Sequence, residues 1–331
     1  MKAQLSVAVH ALARGLGATA LARRWNARRV PILTYHGLHD GRESRHPLDN
    51  FDGIEIDVSR FERQMEHLAR SYDVVCLDEL ARPAGHRPRA VITFDDAYVS
   101  VYELALPVLS RLGLPATMFV PTDFVSQRLP FWWDRLRVAI RDCTDPAVEL
   151  EVAGQRSRWK LRTLGEKQTT MLQLAETLKG SARDRDPVIA ALGGAAARFV
   201  PGREPLSVDQ MRVMAGKGFQ FGSHSQSHAS FPELDAATAL RELADSLETI
   251  SSWVDAAVRW FAYPYGHFDS RSMALVAQAG YEGAVTTLPG LSGGEDPFAL
   301  RRVMLGDPVS FPQFLGAIGG LRDIVRRLRA G

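Results

Sequence analysis

Short apolar runs alternate along this chain with stretches of helical spacing, and that rhythm restricts the folds open to it. "VPILTYH", "VVCL", "AVITF" and "PATMFVP" read as strands. Between them, "DVSRFERQMEHLARSY" places Phe61, Met65 and Leu68 on one helical face, "LDEL" begins a short helix, and "YELALPVLSRLG" is a helix ended by Gly113. The pattern resumes with "LSVDQMRVMAGKG", where Ser207 and Gln210 form a capping-box spacing. Strand "FQFGSH", helix 235–253, strand "VRWFAYP", helix 270–279, and strands "EGAVTT" and "LRRVML" follow. Strands separated by helices imply βαβ units and a parallel sheet, an α/β class. With 331 residues, 46% of them hydrophobic, the chain can bury a large core.

The rhythm breaks between residues 126 and 204. "FWWDRLRVAIRDC" is helix-like, "VELEVAGQRSRWKL" alternates around Gly154 and Gln155 as a hairpin would, and "EKQTTMLQLAETLKG" is helical again. This block is an expected mixed α/β insertion, dividing a barrel into 30–125 and 205–310. Residues 1–29 carry an amphipathic, basic helix and 311–331 a second one. The first helix is expected to pack on its own domain, with a peripheral membrane contact as the other reading, supported by Arg14, Arg23, Arg24, Arg28 and Arg29. His10 and Arg14 interrupt the leading apolar stretch, where a leader peptide would need roughly 7–15 apolar residues. No 18-residue apolar run occurs. The expected location is the cytoplasm or the inner face of the membrane.

Forty basic against 38 acidic residues give a net charge of +2, which does not support a nucleic-acid partner. Cys76 and Cys143 lie far apart with no CxxC, so neither a disulfide framework nor a cysteine zinc site is indicated.

Three motifs fall at the carboxyl ends of inferred strands, the end that carries the active site of a parallel α/β barrel. They are Asp95-Asp96 after "VITF", His224-Ser-Gln-Ser-His228 after "FQFG", and "YPYG" (263–266) after "RWFA". Two histidines four apart, on a helical turn or a tight loop, can aim both imidazoles at one point. One carboxylate added to them leaves open positions on a metal, which suits hydrolysis. Adjacent side chains on an extended strand point to opposite sides. One acid of the pair can therefore bind the metal while the other accepts a proton from the attacking water.

"TFDDA", "HSQSH" and "YPYG", in this order, resemble the polysaccharide deacetylases of the NodB-homology type, carbohydrate esterase family 4. The longer stretches "LPVLSRLGLPATMFVPTDFV" and "GSHSQSH" reinforce the likeness, which runs from about residue 30 to residue 305 around the insertion. The resemblance implies a distorted (β/α)7-type barrel and metal-dependent removal of N-acetyl, sometimes O-acetyl, groups from an acetylated glycan. It implies Asp95 as catalytic base and Asp96, His224 and His228 as ligands of a divalent metal. That metal would be Zn2+, with Co2+, Ni2+ or Mn2+ also compatible. Pro264, Tyr265 and Gly266 would line the cleft, with the Tyr265 N–H on the oxyanion.

The sequence departs from the family pattern at three places. Ala97 stands for the usual glycine. Ala262 stands where the family has an arginine that pairs with the catalytic aspartate; Arg301 and Arg302 are the candidate replacements, and Arg302, directly before Val303, is preferred. No histidine follows His267, so the family's late general acid is missing. His36, in "LTYHGL", is the expected substitute and His267 the second candidate. Trp132 and Trp133 are expected to anchor the insertion more than to stack on sugar. The early YH motif resembles one branch of that family, and this resemblance implies a place in bacterial exopolysaccharide or cell-envelope biosynthesis. A catalytically inactive glycan-binding module and a hydrolase of small amides are the competing readings.

Overall fold

The computed structural model describes residues 25–26, 28–41, 46–80, 85–194, 198–321 and 323. Seven parallel strands close into a barrel: β1 (Ile32–Tyr35), β5 (Arg89–Phe94), β6 (Ala116–Val120), β9 (Phe219–Ser223), β10 (Trp260–Ala262), β11 (Gly283–Pro289) and β12 (Leu300–Met304), which returns to β1. Two further strands, β2 (Leu38–His39) and β3 (Ile56–Asp57), pair beside the β1 end, and β4 (Asp73–Val74) extends the sheet next to β5. The run "VVCL" thus yields only the last residue of a two-residue strand; Leu77–Glu79 turns at once into a 3-10 helix.

Side-chain alternation sorts the strands into two apolar layers. Ile32, Val91, Phe119, Ala262 and Val285 form one buried cluster, filling the barrel. Their neighbours Leu33, Ile92, Met118, Phe261 and Ala284 belong to the larger cluster beneath the helices. Continuous apolar strands of this kind are what two-sided burial requires. Gly222 is needed inside: a Cβ there would lie 2.5 Å from the Phe119 ring.

Helix α1 (Val58–Ser71) starts where the Asp57 carboxylate accepts the Ser59 and Arg60 N–H groups, and it buries Phe61, Met65 and Leu68. Each such side chain stabilises the fold by roughly 1.5–3 kcal/mol. The chain before α2 (Leu106–Leu112) widens into a π turn over Val101–Ala105, with the Leu106 N–H reaching back to Val101 O. Pro107, which has no N–H to give, follows directly. Gly113, at φ 64°, closes the helix.

After β6 the chain leaves the barrel. It forms α3 (Thr122–Gln127), α4 (Trp132–Asp142), the antiparallel hairpin β7 (Ala147–Val152) and β8 (Gln155–Lys160), α5 (Leu164–Lys179) and α6 (Arg185–Ala191). The hairpin turns at Ala153-Gly154, both at positive φ, one residue earlier than the alternation suggests. A second apolar cluster forms around Leu136, Ile140, Leu174 and Leu178 of this segment, and Leu48 and Phe51 join it from outside the segment. Buried charges join it to the barrel side: Arg203 bonds Glu55 at 3.0 Å and Asp134 at 2.6 Å, and Arg137 bonds Asp52 at 2.7 Å.

Helices α7 (Val208–Ala215), α8 (Ala236–Val254) and α9 (Ser270–Gln278) complete the βα repeats. Ser207 and Gln210 form the capping box at the start of α7. Helix α10 (Phe311–Ile318) packs Phe314 and Ile318 into the outer core and ends at Gly319-Gly320, the latter at φ 73°. The single closing helix read from the sequence is therefore broken there. Most of its basic part, like the N-terminal helix up to residue 24, lies outside the described residues.

Candidate active site

All barrel strands run the same way, so their carboxyl ends share one mouth. Alternation then selects which residues face it. His36 follows Ile32 and Thr34, Asp95 follows Val91 and Thr93, and His224 follows Gln220 and Gly222, all with interior parity. Arg302 lies inside β12 with the same parity, whereas Arg301 faces outwards and bonds Pro289 O at 3.4 Å.

Asp96 has the wrong parity for this mouth. It enters because its φ is 71°, followed by Ala97 at 53°. Eight non-glycine residues have positive φ among the described residues, and five of them, Asp96, Ala97, Ser225, His228 and Tyr265, lie in these motifs. Such strain persists where surrounding structure over-determines it, and it concentrates at functional sites. The adjacent acids thus separate: Asp95 meets Arg302, and Asp96 meets the histidines.

Arg302 Nη1 and Nη2 donate to the two Asp95 oxygens at 2.8 and 2.7 Å, and its Nε donates to Thr286 O at 2.9 Å. Burial pushes the Asp95 carboxyl up, but the Arg302 charge, helped by His224 and His36, leaves it below the ordinary carboxylate range. Asp96 Oδ1 lies 3.7 Å from His224 Nε2 and 3.5 Å from His228 Nε2. Burial again opposes ionisation there, and the His228 imidazole, with His36 and His224, holds the group far lower.

His224 Nδ1 bonds Ala262 O at 2.7 Å. Burial, reinforced by His228, pushes this imidazole down to about 4, so it is neutral at neutral pH, as a metal ligand must be. The loop to His228 is not a helical turn. Gln226 and Ser227 N–H groups both donate to Glu242 Oε2, at 2.9 and 2.8 Å, and the His228 N–H donates to Ser225 Oγ at 2.9 Å.

One ligand atom from each of Asp96, His224 and His228 lies within 4.8 Å of the others, all three residues buried. Asp96 Oδ1 is buried without a hydrogen-bond partner. An orphaned carboxylate oxygen facing two imidazoles fits a divalent cation, which would satisfy all three.

The mouth opens into a cleft of about 340 Å3 whose walls include His36, Asp95, Asp96, Tyr265, Trp132 and Trp133. His36 is thus brought to the site. His267 is not: it is exposed, with Nδ1 3.1 Å from Ser230 Oγ. Pro264 is buried and Tyr265 sits at φ 58°. Gly266 and His267 N–H groups bond back to Tyr263 and Pro264 carbonyls, whereas the Tyr265 N–H bonds nothing among the described residues. The Tyr265 hydroxyl accepts from Trp132 Nε1 at 2.9 Å, and burial pushes it up to about 12. Trp132 and Trp133 therefore anchor the inserted segment and line the cleft at once. Asp52, Arg137, Met171, Glu176 and Lys179 also line it; no sequence motif marked them.

The family model for polysaccharide deacetylases matches residues 82–284. YxkH of Bacillus subtilis (strain 168), a protein classed as a polysaccharide deacetylase, is 28% identical over 287 residues, covering 86% of this chain and 75% of its own. Among solved structures, the Streptococcus pyogenes deacetylase PplD, in complex with acetate, aligns with a TM-score of 0.60 at 17% identity, over 88% of this chain and 98% of that one. IcaB from Ammonifex degensii aligns with a TM-score of 0.56 at 17% identity, over the same shares. The barrel is the deacetylase (β/α)7 fold, and the chain belongs to the polysaccharide deacetylase family, hydrolases acting on the amide bonds of glycans.

Proposed function

We propose that this chain removes N-acetyl groups from a glycan with a divalent metal, zinc in the first place, held by Asp96, His224 and His228. The observation that carries the reading is the convergence of that ligand set with an arginine-clamped Asp95 at one barrel mouth. A bound divalent ion supplies carbonyl polarisation and a more acidic water. Asp95, ionised at neutral pH, accepts the proton of the attacking water. Arg302 holds both of its oxygens, so its direction is set before substrate arrives. The Tyr265 N–H, unbonded among the described residues on a residue that lines the cleft, supports the developing oxyanion. His36 delivers a proton to the departing nitrogen. An amine leaves badly without one, so an imidazole on the cleft wall favours amide over ester cleavage. Arg302 supplies the charge missing at Ala262, which supports an active enzyme over an inactive binding module.

The test is acetate release from an N-acetylglucosamine oligomer, with chelator and after zinc is restored, alongside metal content by mass. Release should stop with chelator and return with zinc. His224→Ala should lose the metal while Asp95→Asn keeps it and loses turnover. Release indifferent to chelation would remove the metal reading.

A further inference from the structure

The two histidines are held in different ways. His224 is tethered through Nδ1 to Ala262 O, the usual device for fixing a ligand ring. His228 has no such tether: its Nδ1 is buried and bonds nothing. Its backbone is fixed by Ser225 and by the Glu242 clamp on the preceding loop, but its ring angle is left to packing.

That packing is aromatic. Tyr265 lies 4.6 Å from the His228 ring at 85°, Trp133 at 4.9 Å and 59°, and Phe131 at 5.5 Å. Trp133 and Phe131 come from the inserted segment, not from a barrel strand. They end a stack of three rings: Phe124 on Phe131 at 4.0 Å, and Phe131 on Trp133 at 4.2 Å and 12°. Behind the stack runs a polar chain. Trp133 Nε1 donates to Tyr98 Oη at 3.4 Å, Tyr98 donates to Asp134 Oδ2 at 3.3 Å, and Arg203 Nη1 donates to Asp134 Oδ1 at 2.6 Å. Tyr98, Asp134 and Arg203 are all buried. Trp133 is therefore fixed from two directions and presses on the one ligand ring that lacks a hydrogen bond of its own.

We propose that Trp133 is a positioning residue for His228: its ring, locked by the stack and by Tyr98–Asp134–Arg203, substitutes for the missing Nδ1 bond. The inserted segment thereby sets the metal affinity of the barrel. This inference rests on the metal reading above.

Zinc affinity, measured by competition with a chromophoric chelator on the full chain, tests it without any activity assay. Trp133→Ala should weaken zinc binding about tenfold to a hundredfold, the range for partners behind a ligand. Trp133→Phe, which keeps a ring, should recover most of it. Should Trp133→Ala fail to fold, Trp133→Leu, apolar but ringless, carries the same expectation. Leu174→Ala, in the second apolar cluster, should lower thermal stability and leave zinc affinity at the wild-type value. Wild-type affinity in the ringless variants would overturn the inference, as would equal weakening by Leu174→Ala, which would make the effect one of general stability. If the wild type itself takes up no zinc, the metal reading falls and this inference with it.

Discussion

Replacing Arg302 by Met puts the clamp on Asp95 to a quantitative test. The pair is desolvated, with side-chain exposures of 0% and 4%. Removing the guanidinium deletes the two bonds to Asp95 and the bond to Thr286 O. A buried carboxylate left without its partner costs about 3–5 kcal/mol. The sign with pH follows from the native pKa, which lies below the ordinary 3.8. In the wild type this group adds stability above 3.8, lost as pH falls through the native value. In Arg302→Met burial acts with far less opposition and the pKa rises. Asp95 then subtracts stability as pH increases above 3.8. Equilibrium denaturation of the wild type, Arg302→Met, Asp95→Asn and the double variant, from about pH 4 to pH 8, reads both effects. Arg302→Met should lose about 3–5 kcal/mol near neutrality, less at the acid end. The double variant, with no charge to strand, should recover much of that loss, giving a coupling well above the few tenths expected of independent sites. A loss under about 1 kcal/mol at all pH values, or simple additivity, would refute the clamp.

Two further outcomes follow from local geometry. Gly266→Ala would place a Cβ 1.8 Å from Thr287 Oγ1 at a φ of 71°, so thermal stability and acetate release should both fall; strain of this kind costs about 1–3 kcal/mol. Asp307 accepts from the Asp57 N–H at 2.9 Å and Asn50 at 3.1 Å and lies 2.6 Å from His39 Nε2. Burial opposes its ionisation, but His39, with the Asp57 N–H and the Arg60 charge, leaves its pKa lowered, so its contribution is present above about 3.8 and lost as pH falls below that. Asp307→Asn should flatten the acid limb of the stability curve in a melt series.

The barrel is legible in the sequence because two-sided burial writes itself as unbroken apolar runs, and "VITF" and "ATMFV" do this plainly. The site motifs are legible for a related reason: the polar residue after each run has only the barrel mouth to occupy. His36, Asp95 and His224 follow from parity alone. Asp96 does not, because its entry depends on a left-handed backbone that an Asp-Asp pair does not announce. Arg137 and Arg203 were invisible too. Their burial depends on carboxylates at positions 52, 55 and 134, brought together by tertiary packing across an irregular segment. Trp132 and Trp133 read as anchors; that they also wall the cleft depends on how the segment folds back over Tyr265.

The position of the arginine offers a stricter test of how the barrel interior works. Ala262 and Arg302 sit on strands separated by β11, yet both face inwards and share one neighbour. Ala262 packs in the cluster with Phe119, and the Arg302 guanidinium carbon lies 5.7 Å from the centre of that ring. Volume vacated at 302 therefore borders the Phe119 ring, in whose cluster Ala262 packs. Ala262→Arg alone should destabilise, by about 1–3 kcal/mol from overpacking and by more from a second buried cation. Combined with Arg302→Met, the new arginine gains room beside Phe119 and a carboxylate in want of a partner. The double variant should then be more stable than either single one and should regain part of the acetate release lost in Arg302→Met. Denaturation and acetate assays on the three variants decide it. If the double variant is no better than Arg302→Met, the interior is not interchangeable between these strands, and the clamp depends on the direction from which β12 delivers it.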